Sequence, residues 1–520
     1  PQGCALKSFW FFFFRKRTVP SRAKTEKRMF KNTKKMEIGS LQPQIVWEIF
    51  AEITRVPRPS KKEGRIQAFV EDFARQHRLE SKRDEKGNIV LIRPASSGRE
   101  DEPALILQSH MDMVCEKDAD VRIDFENDPI DAYVDGEWVK AKGTTLGADC
   151  GIGMALQMAV LIDKDLSCPR IEALFTVDEE QGLTGAMNLG DGMLTGTRMI
   201  NLDSEDEGEL FIGCAGGIDT IATLRYTPEA RGAKDDYTYY YIGVSGLHGG
   251  HSGDDIEKGF ANSNKLLNRL LWNLDRECGL RVARFDGGNL RNAIPREAEA
   301  VAAIPVGRTA EAEKLFRRLA EEIAAEFKQT ETSMKFTFEP AVEHPTHLLP
   351  MEVQRRLLDL LYALPHGVMA MSRSMPGLVE TSTNLASVKM PEEGVVVITT
   401  SQRSSVESAK RDIADRVAAV FALAGAEVRH TDGYPGWTPN PDSPLVRRAA
   451  EIYRELFGND PKIRAIHAGL ECGLFLTRYP QLDMISTGPT LRGVHSPAER
   501  VEVAAVAKVW RYLRELVERV

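Results

Sequence analysis

The sequence predicts an α/β protein interrupted by an α+β insertion. Three observations carry this. Short apolar runs at 104–108, 171–177 and 199–202 suit strands buried on both faces, with amphipathic helical periods between them. From about residue 217 the style changes to longer strand-like runs separated by long amphipathic helices. After Pro435-Gly436-Trp437 and Pro439 the first style returns, which marks one domain in two pieces.

The elements follow in order. Residues 44–54 and 63–76 place apolar side chains at helical spacing. Residues 104–108 (Ala-Leu-Ile-Leu-Gln) are a strand, and 133–140 a hairpin around Asp135-Gly136, a dipeptide suited to a tight turn. An apolar helix at 152–162 is entered through Gly151 and Gly153, and 171–177 and 199–202 are further buried strands. In the insertion, strands at 219–226, 238–244, 279–285 and 297–305 are interleaved with helices at 257–275 and 309–327. A second round has a helix at 351–363, strands at 377–390 and 394–400, and a helix at 406–424; the segment is long enough for two related halves. The returning piece reads helix 444–457, strand 462–466, helix 469–477, strand 482–487 and helix 499–519. The expected division is 36–216 and 435–520 for the α/β domain and 217–434 for the insertion.

Composition narrows the function. The 520 residues are 42% hydrophobic and 28% charged, an ordinary globular balance with enough length for several domains. Lys plus Arg number 68 against 76 Asp plus Glu; the net charge of -8 argues against a nucleic-acid binder. Seven scattered cysteines without a CxxC indicate neither a disulfide framework nor a zinc ribbon, and reduced thiols fit the cytoplasm. The aromatic run at 9–14 is far below the roughly 18 residues of a membrane span, and its basic cluster, Arg15-Lys16-Arg17, lies on the wrong side for a signal peptide. Residues 1–35 are therefore expected to be an extension outside the fold, with no membrane role; the rival reading is a membrane-surface anchor.

Acids and histidines gather where strands end, which is where open α/β sheets bind ligands. Ser109-His110-Met111-Asp112 follows the first buried strand, and Asp149 sits in a glycine-rich helix entry. Asp178-Glu179-Glu180 and Asp203 follow two further strands, and Gly-Val-His-Ser-Pro adds His495. One acid after a strand is most often a helix cap. Five such places in one chain point instead to a hydrolytic metal site. A ligating histidine needs its second nitrogen held, and Asp112, two residues after His110, can hold it. In Glu179-Glu180 one carboxylate can bind metal while its neighbour takes a proton from water.

The ordered set His110-Met111-Asp112-Met113-Val114, Thr145-Leu146-Gly147-Ala148-Asp149, Asp178 to Ala186 and Asn201-Leu202-Asp203-Ser204-Glu205 resembles the two-zinc exopeptidases related to carboxypeptidase G, acetylornithine deacetylase and succinyl-diaminopimelate desuccinylase. Gly-Leu-His-Gly-Gly-His-Ser-Gly (246–253), His-Ala-Gly-Leu-Glu-Cys-Gly (467–473) and Gly-Val-His-Ser-Pro-Ala-Glu (493–499) resemble its aminoacyl-histidine dipeptidase (peptidase D, carnosinase-like) branch. The likeness runs from about residue 40 to the C-terminus.

The resemblance implies a zinc-exopeptidase-like catalytic domain with an inserted lid, and two Zn2+ per chain, with Mn2+ or Co2+ as substitutes that mixed N/O donors also admit. It implies that Asp149 bridges the ions, with His110 and Asp203 on one and Glu180 and His495 on the other. Asp112 orients His110, and Glu179 is the general base. On the lid side it implies His251 over the scissile carbonyl, Asn292 as an amide donor, Arg403 on the terminal carboxylate and Gly469 lining the pocket. His467 and Glu471 lie near the site with open roles. The family usually carries Asn, Asp or Gly where this chain has Cys150; that thiol packs as a small apolar residue or, alternatively, binds metal. The implied reaction is hydrolysis of unblocked dipeptides such as Xaa-His by a metal-bridging hydroxide, in a homodimer formed through the lid. The alternatives are an N-acyl-amino-acid deacylase on the same fold and a non-catalytic metal-binding homologue. His77, His344, His347, His366 and His430 take the ordinary reading of structural or exposed histidines.

Overall fold

The computed structural model describes residues 37–230, 236–342 and 345–520. The expected 1–35 extension and His344 lie outside these residues. Among the described residues, no helix is long and apolar enough to cross a membrane.

An eight-stranded sheet runs in the order Glu80–Arg83, Ile89–Arg93, Ile171–Thr176, Leu105–His110, Arg198–Asn201, Asp483–Ser486, Glu209–Cys214 and Lys462–Ile466. Leu105–His110 lies parallel between Ile171–Thr176 and Arg198–Asn201, so the ends of all three point the same way. Asp483–Ser486 extends this parallel block, so residues from both ends of the chain share one sheet. The alternation of strand side chains divides the burial between two faces. Leu105 and Leu107 pack with the helices Gln44–Ile53, Ala148–Ile162, Pro444–Phe457 and Val503–Arg519. Ile106 joins Ala186, Leu189, Leu474 and Phe475 on the other face. Burying each such Leu or Ile contributes about 1.5–3 kcal/mol.

A nine-stranded sheet is built entirely from Gly216–His430. Its first half holds Lys335–Pro340, Tyr237–Ser245, Ala298–Pro305 and Arg281–Gly287. Its second holds Val379–Glu392, Val395–Ser404, Gly216–Arg225 and Glu427–His430, with Gly367–Met371 on Val379–Glu392. The halves meet where Gly287 pairs with Val388. Leu267, Leu271, Phe316, Leu357 and Phe421, from the helices Ser263–Cys278, Thr309–Glu326, Met351–Ala363 and Glu407–Leu423, form one apolar layer against this sheet.

Several expected elements are corrected. The helix expected from 257 starts at Ser263, because Gly259 takes a positive φ of 71° and the Asn262 side chain caps the backbone N–H groups of Asn264 and Lys265. The helix expected from 499 starts at Val503, because Arg500–Glu502 is a strand on Trp138–Ala141. The 469–477 helix shrinks to Glu471–Phe475. The strands Ile89–Arg93 and Glu209–Cys214 were not expected: the first lacks an alternating pattern and the second follows a polar turn. A small four-stranded sheet joins Leu491–Arg492 and Arg500–Glu502 to the hairpin Ala132–Asp135 and Trp138–Ala141. This places His495 and Glu499 beside the Asp149 helix entry.

Candidate metal centre

His110 is the last residue of its strand and is 1% exposed. Asp112, fully buried, accepts from the backbone N–H of Glu179 at 3.0 Å and of Glu180 at 3.2 Å. His110 Nδ1 lies 3.1 Å from the Asp112 carbonyl oxygen and 3.4 Å from its Oδ1. Asp112 therefore fixes the imidazole and couples two strand ends at once. Burial alone would raise the Asp112 carboxyl, but these bonds outweigh it and hold it below the ordinary range.

Asp149 enters the helix Ala148–Ile162 after Gly147, whose φ of 69° needs a glycine, and its own backbone is non-helical. The two oxygens of its carboxylate diverge. Oδ1 lies 3.0 Å from His110 Nε2, and Oδ2 lies 3.2 Å from His495 Nε2. Each histidine meets a second carboxylate: Asp203 Oδ1 is 3.3 Å from His110 Nε2, and Glu180 Oε2 is 3.0 Å from His495 Nε2. Two imidazole–carboxylate groups are thus joined through Asp149.

The electrostatics show a site short of positive charge. Burial alone would lower His110; the charge of Asp203 and the hydrogen bonds of Asp112 and Asp149 outweigh it and push the imidazole well above its usual range. Pairing with Asp149 and then Glu180 pushes His495 up to about 11. Burial would raise Asp149, but the two histidines hold it far below the ordinary carboxylate range. Burial and the charge of Asp149 push Asp203 to about 6, although His110 opposes. Glu179 is raised well above its usual range by burial, with Asp203, Glu180 and Glu471 adding to the effect against His110. Glu180 Oε1 is buried with no hydrogen-bond partner. Divergent carboxylate oxygens, an unpartnered buried oxygen and His/Asp/Glu donors fit a pair of divalent cations.

Two positioning residues escaped the sequence reading. Glu499 accepts four backbone N–H groups, from Leu146 and Gly147 at 2.7 and 3.0 Å and from Ala148 and Asp149 at 2.7 and 3.2 Å. It cradles the loop that aims Asp149. Arg58, 2% exposed, donates to the carbonyls of Met111 at 3.0 Å and Asp112 at 2.8 Å, and to that of Gly147. A Cβ at Gly151 would stand 2.6 Å from this guanidinium. Glu499 lay in a quoted motif, but no local spacing signals either role.

The other sequence-derived residues gather on the insertion side. Arg403, 7% exposed, ends the strand Val395–Ser404 and donates to Tyr434 Oη at 3.0 Å. Its Nη2 lies 3.5 Å from His251 Nε2, and its Nε has no partner. His251, in the first half of the nine-stranded sheet's segment, therefore meets Arg403 of the second half within one chain. Asn292 is exposed, and its carbonyl accepts from Ser252 N–H at 2.7 Å. Gly469 packs on Tyr434: a Cβ there would stand 2.9 Å from the ring. His467 Nε2 lies 2.7 Å from Ser382 Oγ, and burial, then Arg403, lowers its pKa to about 4. Glu471 Oε2 accepts from Gln108 at 2.6 Å and Thr176 at 2.8 Å, and burial pushes this carboxyl up to about 8. The segment 467–471 thus spans both groups, with Gly469 on Tyr434 and Glu471 against the strands that end in the metal centre.

The chain is similar to several known proteins. The chain is 40% identical over 484 residues to the cytosol non-specific dipeptidase of Escherichia coli (strain K12), covering 93% of this chain and 99% of that protein. It is also 40% identical to aminoacylhistidine dipeptidase from Vibrio alginolyticus, whose crystal structure superposes with a TM-score of 0.87 over 93% of this chain and 98% of that one. Aminopeptidase PepT from Bacillus cereus, 16% identical over 92% of this chain and 98% of that one with a TM-score of 0.54, shares the fold. Residues 106–519 match the model of peptidase family M20/M25/M40, and the chain belongs to that family.

Proposed function

We propose that this protein is a dinuclear metal dipeptidase that hydrolyses unblocked dipeptides, Xaa-His (carnosine-like) among them. The names of its two 40%-identical relatives, a non-specific dipeptidase and an aminoacylhistidine dipeptidase, support the substrate class. The observation that carries the reading is Asp149, whose two oxygens each meet a histidine already paired with a second carboxylate.

In this reading His110 and Asp203 hold one ion, Glu180 and His495 hold the other, and Asp149 belongs to both. Zn2+ suits the donors, and Mn2+ or Co2+ substitute. When bound, such a pair supplies Lewis acidity and lowers the pKa of water. The chain does the rest. Asp112 holds the His110 ring. Glu179 takes a proton from the attacking water and passes it to the departing amine, a task suited to a carboxyl whose pKa lies well above its ordinary range. His251 donates to the developing oxyanion. Arg403 receives the terminal carboxylate, with Tyr434 steadying the guanidinium. Asn292 and Gly469 bound the peptide's path.

Residues 36–216 and 435–520 act as the catalytic domain, and 217–434 as the lid. The enzyme works in the cytoplasm, in keeping with the unpaired cysteines among the described residues and the cytosolic relative. It forms a homodimer through the lid; a single species near 57.9 kDa by light scattering would contradict this. The deciding assay sets carnosine against N-acetylornithine, with and without chelator. Chelator-sensitive cleavage of carnosine alone is the expected result. Cleavage of N-acetylornithine alone would make the protein a deacylase.

A further inference from the structure

Cys150 follows Asp149 directly and is 2% exposed. Its thiol donates to the carbonyl of Leu202 at 3.3 Å, which sets the sulfur beside the next residue, Asp203. A His110 nitrogen, an Asp203 oxygen and Cys150 Sγ all lie within 4.8 Å of one another. Gly153 leaves room for the sulfur: a Cβ there would stand 2.5 Å from Sγ and 2.6 Å from the Leu202 carbonyl oxygen. Cys115, by contrast, bonds the Met113 carbonyl at 3.7 Å and joins none of the described metal-competent groups.

We propose that Cys150 is a protein ligand on the His110–Asp203 side of Asp149, so that the two cation positions differ in softness. This rests on the dinuclear reading above. As the sulfur–metal bond forms, the thiol gives its proton to solvent and releases the Leu202 carbonyl. One position then offers imidazole, two carboxylates and a thiolate, a four-donor set that suits Zn2+ or Cd2+ over Mn2+. The other keeps imidazole and carboxylates only. The two ions should therefore leave in sequence under a chelator, the His495–Glu180 ion first.

The test is spectroscopic. Metal-free protein is loaded with Co2+ to two ions per chain. The wild type should show a near-ultraviolet thiolate-to-cobalt charge-transfer band, and Cys150→Ser and Cys150→Asn, loaded to the same stoichiometry, should lack it. Zinc X-ray absorption on the wild-type holoenzyme needs no variant. It should show about one sulfur for every two zinc ions, at about 2.3 Å. Two bound ions without a band or a sulfur shell would overturn the proposal and leave the dinuclear reading standing. A band that survives in both variants would overturn it as well. Failure to load a second ion would count against the dinuclear reading itself, and the proposal would fall with it.

Discussion

His110 and Asp112 at the metal centre are at most 1% exposed and held on several sides, whereas His251 on the lid keeps 32% of its side chain exposed and Asn292 is exposed. His110, Asp112, Glu180 and Asp203 follow the ends of parallel strands whose register is fixed by cores on both faces, while Asp149 enters a helix and His495 sits in a turn with 51% of its side chain exposed. The lid residues sit on turns and at a strand end, and their contacts are few: Arg403 has Tyr434 and His251, and one of its nitrogens is unpartnered. The difference matches the tasks. Cation ligands must be preorganised, because misplaced donors lose the ion. Groups that receive a substrate must leave donor capacity unspent until it arrives.

Changes at the centre should therefore abolish chemistry, while changes on the lid should alter recognition. The largest effect is expected at Glu179. Glu179→Gln keeps the size and every ligand but cannot accept the water proton, so kcat should fall about 10²–10⁴-fold. Metal content measured on the same sample should stay at two ions. Full metal with near-wild-type turnover would remove Glu179 from the base role.

The second effect separates the lid's stability from the site. His366 is partly buried with its pKa lowered to about 4, by desolvation and then by Lys265. The unfolded chain binds this proton near pH 6.5, so the folded state loses stability as pH falls from about 6.5 to 4, by roughly 2–4 kcal/mol. His366→Gln should flatten that acid limb in denaturant titrations and leave activity near pH 7 unchanged. An acid limb identical to wild type would show that His366 does not contribute it.

Arg403→Met comes next. Charge-assisted bonds to a terminal carboxylate are worth roughly 1.5–3 kcal/mol, so kcat/KM for Xaa-His should fall about 10–100-fold. Metal content should not change. Amidated dipeptides should be poor substrates for the wild type, and the variant should narrow that gap. An unchanged ratio of free to amidated substrate would end the assignment. Smallest is Asn292→Ala, where the loss of one exposed amide should raise KM by up to about tenfold at constant kcat. A fall in kcat alone would place Asn292 at the transition state instead.

His110, Glu180 and Asp203 were legible in the sequence because each follows a short apolar run, and a strand's direction decides where its next residue lies; Asp149 and His495 were legible through the glycine-bearing motifs around them. Asp112 was legible with His110, two residues after the histidine it holds. Arg58 and Glu499 were not. Arg58 reaches Gly147 across 89 positions, Glu499 reaches Asp149 across 350, and both bind main-chain atoms that any sequence supplies. Ile89–Arg93 was missed because an edge-proximal strand buried on both faces has no period to read. The helix starts at Ser263 and Val503 were misplaced because a cap and a strand pairing, rather than propensity, set them. The meeting of His251 with Arg403 depends on two segments of the insertion joining along one sheet, which no local pattern announces.

The central claim is that Asp149 lies between two cations. Anomalous diffraction at the zinc edge from crystals of the zinc-loaded protein tests it directly. Two peaks about 3.5–4 Å apart should appear, one beside His110 and Asp203, the other beside His495 and Glu180, with the Asp149 carboxylate between them. A single fully occupied peak, or two peaks with Asp149 on neither, would contradict the account.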